Sequence, residues 1–122
     1  MTKIRVATLG LVAVALLAWV LPAAAQKSAA KATVVTVTAG KPSELKFKLS
    51  KLSVPHGTVT FKVTNSGALP HDFKIGTKKT ALLSPGQSKS LTVTLAKAGK
   101  FPFLCTVSGH AAAGMKGTLT VT

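Results

Sequence analysis

The sequence predicts an all-β domain, a sandwich or barrel of about seven to eight short strands. Three observations support this prediction. Apolar residues alternate with Lys or Thr in several segments, turn-forming residues recur roughly every eight to twelve positions, and the chain after residue 32 lacks the apolar spacing of a convincing helix. A chain of 122 residues has room for one such domain.

The N-terminal segment resembles a secretory signal peptide rather than a folded domain. Lys3 and Arg5 give a positive start, the uncharged apolar run 6–21 follows, and Ala residues at 23–25 form a small-residue cleavage pattern. An uncleaved membrane anchor is the alternative, although a spanning helix needs about 20 apolar residues and this run is shorter. We expect residues 1–25 to be a signal peptide, the protein to be periplasmic or extracellular, and the mature chain to have no membrane span.

The rest of the chain divides into a flexible N-terminal tail, residues 26–32, and a single domain, residues 33–122. The predicted strands begin with the β-branched run 33–38. They continue with alternating apolar residues: Leu45, Phe47 and Leu49; Val59, Phe61 and Val63; Phe73 and Ile75; Leu91, Val93 and Leu95; Phe101, Phe103 and Cys105; Leu119 and Val121. Turn signals lie between them at 39–42, 55–57, 65–67, 84–86 and 98–100.

The charge is strongly one-sided. Sixteen basic residues against two acidic ones give a formal net charge of +14, and every basic residue after position 25 is lysine. Proteins that read nucleic acids use arginine forks and exposed aromatic side chains, whereas this region has no arginine and its phenylalanines alternate within strands. We therefore expect no specific nucleic-acid partner, and we expect the lysines to favour an acidic partner protein.

Cys105 is the only cysteine of the chain, so it cannot form an internal disulfide. An odd cysteine in an exported protein is reactive, pairs with another molecule or binds a metal. Cys105 ends a predicted strand on its buried side, and His110 and Met115 follow in a loop before the last strand. Gly109 and Gly114 directly precede these two residues, where the backbone has to turn sharply to aim a side chain inward.

His71 completes a ligand set with these residues. It begins a predicted strand, and in a sandwich the ends of distant strands converge at one pole, so His71 can meet the 105–115 loop. Each residue alone is more often a core or structural residue, but together they offer two imidazoles, a thiolate and a thioether. That is the ligand set of a blue-copper electron-transfer site. We predict one copper ion bound by His71, Cys105, His110 and Met115.

The sequence HDF followed by FPFLCTVSGHAAAGMKGTLTV resembles the cupredoxin family of plastocyanin- and azurin-like blue copper proteins. The pattern covers roughly residues 33–122. The spacing Cys-x₄-His-x₄-Met is closest to that of rusticyanin- and sulfocyanin-like members. The resemblance implies a Greek-key sandwich and one type 1 copper ion, with His71, Cys105 and His110 as strong ligands and Met115 as the weak axial ligand.

The resemblance also implies a role for Asp72, whose side chain would bond backbone near the cysteine loop. A simple turn carboxylate is the alternative for this residue. Glu44 is interpreted as an ordinary surface charge, and His56 as an exposed turn residue that binds no metal.

Three function classes fit these residues to different degrees. The first is a one-electron carrier between redox partner proteins, and the second is a copper storage or delivery protein. The third, a hydrolase with Cys105 as nucleophile, leaves Met115 without a role. Three histidines in the chain cannot supply the further copper centres of oxidases or nitrite reductases, so we expect a carrier rather than an enzyme.

We expect electrons to pass through the exposed edge of His110. The small residues 111–114, together with Leu69 and Pro70, would form a docking patch for an acidic partner protein. We also expect the mature protein to be a monomer.

Overall fold

The computed structural model describes residues 32–122, and within them the chain forms nine β-strands and no helix. The predicted signal peptide and tail residues 26–31 lie outside the described residues. The strands are β1 (Thr33–Ala39), β2 (Phe47–Leu49), β3 (Ser53–Val54), β4 (Gly57–Asn65), β5 (Lys74–Ile75), β6 (Lys78–Lys79), β7 (Ser88–Leu95), β8 (Gly99–Leu104) and β9 (Lys116–Val121). No helix in residues 32–122 is long and apolar enough to cross a membrane.

The strands form two mixed sheets. The first has the order β2-β1-β4-β7 and the second the order β3-β9-β8-β5-β6. One pair in each sheet is parallel, β1 with β4 and β3 with β9, and the other pairs are antiparallel. This confirms the predicted all-β sandwich, with a strand count slightly above the prediction because β3, β5 and β6 have only two residues each.

The core lies between the sheets and consists mainly of residues that the alternation selects, with Val54 and Leu83 in addition. In β4 the side chains of Val59, Phe61 and Val63 are buried, whereas Lys62 is exposed. From the second sheet come Ile75, Phe103, Leu119 and Val121. Each large side chain buried in this way stabilises the fold by about 1.5–3 kcal/mol before the entropy cost of ordering the chain.

Phe73 links the two sheets beneath the predicted site. Its ring centroid lies 5.3 Å from that of Phe61 in the first sheet and 5.6 Å from that of Phe103 in the second. Phe47 packs edge-on against it at 5.4 Å. Because Phe73 is fully buried, the chain just before it, His71 and Asp72, is fixed relative to both sheets.

Candidate metal centre

The strand register brings the ends of five strands to one pole of the sandwich. Ala39 at the end of β1 is paired with Asn65 at the end of β4. In the second sheet Leu104 is paired with both Lys74 and Lys116. The residues just outside these pairs therefore meet at the same pole, and they include His71, Cys105 and Met115.

His71, Cys105 and His110 come together as the sequence predicts. Each offers one ligand atom, and these three atoms lie within 4.8 Å of one another. The Nδ1 atoms of the two histidines are 3.2 Å apart, and Cys105 Sγ is 3.6 Å from His110 Nδ1. Cys105 and His110 follow His71 by 34 and 39 positions in the sequence, and the three residues present one sulfur and two nitrogen donors to one small volume.

His71 is held rigidly on all sides. Its backbone forms an isolated antiparallel bridge with Leu83, through His71 N to Leu83 O at 3.0 Å and Leu83 N to His71 O at 2.8 Å. Its side chain is fully buried, and its Nε2 lies 2.8 Å from Glu44 Oε1. A carboxylate carries no proton to donate, so Nε2–H is the donor and Nδ1 is left to face Cys105 and His110.

Glu44 is therefore not the ordinary surface charge that the sequence suggested. Its carboxylate accepts hydrogen bonds from the backbone N–H groups of Ala68 and Leu69, both at 2.9 Å, besides that from His71. These backbone donors, followed by His71, lower the pKa of Glu44 to about 2. His71 does not begin a strand, as the sequence suggested, but forms an isolated bridge three residues before β5. No sequence pattern linked Glu44 to His71, because the contact joins two segments 27 positions apart.

Asp72 does bond the cysteine loop, as the resemblance implied. Its Oδ1 accepts a hydrogen bond from Thr106 N at 2.6 Å, and its Oδ2 accepts one from Thr106 Oγ1. Asp72 N–H also points to Cys105 Sγ at 3.5 Å. One residue thus fixes the distance between the segment that carries His71 and the loop that begins at Cys105.

Burial raises the pKa of the Cys105 thiol, although the Asp72 N–H favours the thiolate and partly offsets this shift. In the metal-free protein the thiol is thereby kept protonated. A bound metal would have to displace that proton, because the thiolate is the form that binds metals.

The 105–115 loop is closed by its own backbone hydrogen bonds. Met115 O accepts from Cys105 N at 3.1 Å, and His110 O accepts from Met115 N at 3.0 Å. Gly109 and Gly114 have φ angles of +82° and +112°. Residues other than glycine adopt such backbone angles only with strain. The predicted sharp turns before His110 and Met115 are therefore confirmed.

Met115 is fully buried and packs with Cys105 and Ala39 in a small cluster separate from the main core. Its side chain is thus next to the thiol, on the interior side of the loop.

The donors fit copper better than the other common metals. Zinc in structural sites takes four strong ligands, whereas this site has three strong donors and a neighbouring thioether. Soft sulfur together with two imidazoles suits Cu(I), and imidazole also suits Cu(II). Among residues 32–122 every buried side-chain nitrogen and oxygen has a hydrogen-bond partner, including both ring nitrogens of His71.

The surface above the centre is small and uncharged. His110 and Ala111 are half-buried there, and Ala112 and Ala113 are exposed. Leu69, on the segment that leads into His71, is 46% exposed. At the edge of this rim, a Cβ built on Gly114 would stand 2.6 Å from Lys46 Nζ. The ammonium group of Lys46 therefore lies against the ligand loop.

Comparisons with known proteins agree with this architecture. Auracyanin-B of Chloroflexus aurantiacus is 51% identical over 43 residues, which are 35% of this chain and 18% of that protein. The copper-resistant cuproprotein CopI of Pseudomonas aeruginosa is 50% identical over 40 residues, 33% of this chain and 22% of that protein. The matched segments thus span about a fifth of these curated relatives.

Solved structures match over most of the domain. Auracyanin B superimposes with a TM-score of 0.67 at 28% identity, covering 75% of this chain and 89% of that one. Reduced auracyanin of Roseiflexus castenholzii gives 0.63 at 26% identity, with coverage of 74% and 96%. Rusticyanin of Thiobacillus ferrooxidans, at 24% identity and a TM-score of 0.62 over 73% of this chain and 76% of that one, supports the fold alone.

The cupredoxin-like domain model matches residues 10–121, which is most of the chain. The match agrees with the sandwich and with the grouping of its donors at one pole. The chain belongs to the cupredoxin-like domain family, and its His71, Cys105 and His110 are positioned to form a site for one type 1 copper ion.

Proposed function

We propose that the protein is an exported electron carrier with one type 1 copper ion, bound by His71, Cys105 and His110 with Met115 as the axial ligand. The observation that carries this proposal is the meeting of three metal-binding donor atoms, two imidazole nitrogens and one sulfur, within 4.8 Å of one another. Bound copper would supply a one-electron couple between Cu(II) and Cu(I).

The protein's own contribution is a ligand arrangement that does not change. The bridge to Leu83 holds His71, and the Asp72–Thr106 contact holds the start of the cysteine loop. With ligands fixed by packing and hydrogen bonds, a change in metal charge requires little movement. That property suits repeated electron transfer.

His110 is the proposed point of electron entry and exit, because it alone of the three strong donors is partly exposed. The small rim of Ala111, Ala112 and Ala113, with Leu69, would dock a redox partner in a small and short-lived interface. The lysine-rich surface would attract an acidic partner and accelerate encounter at low ionic strength. Such a carrier would work as a monomer.

Export is proposed from the sequence of residues 1–25, with residues 26–32 as a tail and residues 33–122 as the copper domain. A charged start, an apolar run and a small-residue cleavage pattern support a signal peptide. The mature protein would then act in the periplasm or outside the cell.

Copper storage or delivery is the second candidate. The similarity to CopI, whose name describes a copper-resistant cuproprotein, favours it. The two functions share their ligands and differ in whether copper stays bound. A carrier keeps its metal through many redox cycles, whereas a delivery protein gives it to an acceptor.

The test is to add one equivalent of Cu(II) to the purified protein and record the visible spectrum and a voltammogram. A carrier should show an intense visible band and a reversible wave without loss of metal. Cys105→Ser should abolish the band and leave the fold intact, while His56→Gln, at an exposed histidine outside the site, should keep it. A Cys105→Ser protein that stays blue would refute the ligand assignment. Transfer of copper to a chelator upon reduction would favour delivery.

A further inference from the structure

We propose that Glu44 is a positioning residue for the metal centre, which orients the His71 ring and lowers the reduction potential of the bound copper. This inference rests on the proposed function. It adds a residue that lies outside the ligand set and comes from the loop between β1 and β2.

Glu44 contacts the ring of His71 directly. His71 Nε2 lies 2.8 Å from Glu44 Oε1, and the His71 side chain is fully buried while that of Glu44 is 34% exposed. A carboxylate that accepts from the remote nitrogen of a ligand histidine fixes which nitrogen carries the proton and makes the other a better donor. Here the remote nitrogen is Nε2, so the nitrogen that stays free is Nδ1, which faces Cys105 and His110.

The carboxylate of Glu44 is itself held in place by backbone hydrogen bonds. Ala68 N–H and Leu69 N–H donate to its carboxylate from the segment that leads into His71. Gly67 makes this approach possible, because a Cβ at that position would stand 2.4 Å from Glu44 Oε1. The carboxylate therefore orients the histidine from a fixed position, and it also holds the chain on which the histidine is carried.

Glu44 also carries one of the few negative charges of the molecule. The chain has only two acidic residues, and both contact the ligand segments, Glu44 at His71 and Asp72 at Thr106. In a molecule of net charge +14, the surrounding field favours the less positive Cu(I). A fixed negative charge beside one ligand opposes that field and favours Cu(II), and so lowers the reduction potential.

Two substitutions separate geometry from charge. Glu44→Gln keeps an oxygen that can accept from His71 and removes the charge, whereas Glu44→Ala removes both. Thr94→Lys is the matched control, because it also raises the net charge by one. Thr94 is an exposed residue of β7 that is paired with Thr58 near the start of β4, at the opposite end of that strand from Asn65.

Two measurements apply to the full chain. The first is the long-range ¹H–¹⁵N spectrum of the metal-free protein, which reports the His71 Nε2 proton. It should exchange slowly with water in the wild type and in Glu44→Gln, and it should be lost to exchange in Glu44→Ala. A Glu44→Ala protein that keeps the wild-type signal would overturn the positioning role.

The second is copper titration and voltammetry. Glu44→Ala should bind Cu(II) about 10- to 100-fold more weakly than the wild type. Glu44→Gln should have a higher reduction potential than both the wild type and Thr94→Lys. Equal potentials in Glu44→Gln and Thr94→Lys would overturn the electrostatic role. If the wild type bound no copper, the proposed function and the claim about the potential would fail together, and the Nε2 proton would still decide the positioning claim.

Discussion

The two histidines of the centre are the same residue type in opposite settings. His71 is fully buried, bridged to Leu83 through its backbone, and bonded to Glu44 through its outer nitrogen. His110 is half-buried in a turn, and in residues 32–122 no side-chain hydrogen bond reaches its Nε2. One site thus combines a ligand that belongs to the core with a ligand that belongs to the surface.

This difference assigns different tasks to the two segments. The segment 65–72 is built to stay still, since Asn65, Glu44 and the bridge at Leu83 each hold it. The loop 105–115 is held mainly by its own turns and by Asp72. Under the proposed function, the first segment would fix the position of one metal ligand, and the second would connect the metal to a partner.

The largest effect should come from removing each histidine in turn. His71→Gly and His110→Gly should both lose the intense visible band of the copper protein. Added imidazole should restore a band in His110→Gly, because its slot is partly open, and not in His71→Gly, whose slot is fully buried. A titration with imidazole followed by visible absorption measures this, and equal rescue of both variants would remove the distinction between them.

The buried amide of Asn65 should matter most for stability. Its Nδ2 donates to Leu69 O at 2.8 Å and Leu83 O at 2.9 Å, and its Oδ1 accepts from Gly67 N at 2.9 Å. Asn65→Ala should lower the free energy of unfolding of the metal-free protein by about 1–3 kcal/mol, because it leaves buried partners unsatisfied. Urea denaturation checks this value. The control Thr94→Ala, at an exposed strand position, should change the free energy by at most about 0.5 kcal/mol.

Substitution of Met115 tests whether its thioether acts as a ligand on the interior side of the loop. Met115→Leu should keep the visible band and raise the reduction potential, because losing the weak fourth donor leaves three strong ligands, a coordination number that suits Cu(I) better than Cu(II). Leu119→Met is the matched control, because it places a thioether at a fully buried position of β9 and should leave the potential unchanged. Voltammetry that finds no difference between Met115→Leu and the wild type would argue against axial ligation.

The smallest effect should be on the rate at which a charged redox reagent reacts at the surface around His110. Lys46→Glu reverses a charge that lies against Gly114, whereas Lys62→Glu reverses one in the middle of β4. With ferricyanide as an anionic oxidant, Lys46→Glu should slow oxidation of the reduced protein several-fold at low salt, and Lys62→Glu should slow it less. Stopped-flow rates that respond equally to both substitutions would place the electron-transfer route elsewhere.

The longer strands could be predicted because the alternation of apolar and polar residues reflects which side chains are buried. Val59, Phe61 and Val63 alternate with polar residues, and all three are buried. The two-residue strands β3, β5 and β6 are too short to show any period. The parallel pairing of β1 with β4 also leaves no local signal, because it depends on a crossover between distant segments.

The candidate site was likewise predictable only in part. Cys105, His110 and Met115 lie within one loop, and their spacing made the donor set visible. The contact of Glu44 with His71 could not be predicted, because a single glutamate in a lysine-rich segment looks like an ordinary surface residue. The scarcity of acidic residues, two in the chain, was the one signal that could have drawn attention to it.

The central claim is that the buried and the exposed histidine share one metal with Cys105. A crystal structure of the copper-loaded protein, with anomalous scattering measured at the copper edge, tests this most directly. We expect a single peak within bonding distance of Cys105 Sγ and of Nδ1 of both His71 and His110. A peak elsewhere, or a His71 ring turned away from Cys105, would contradict it.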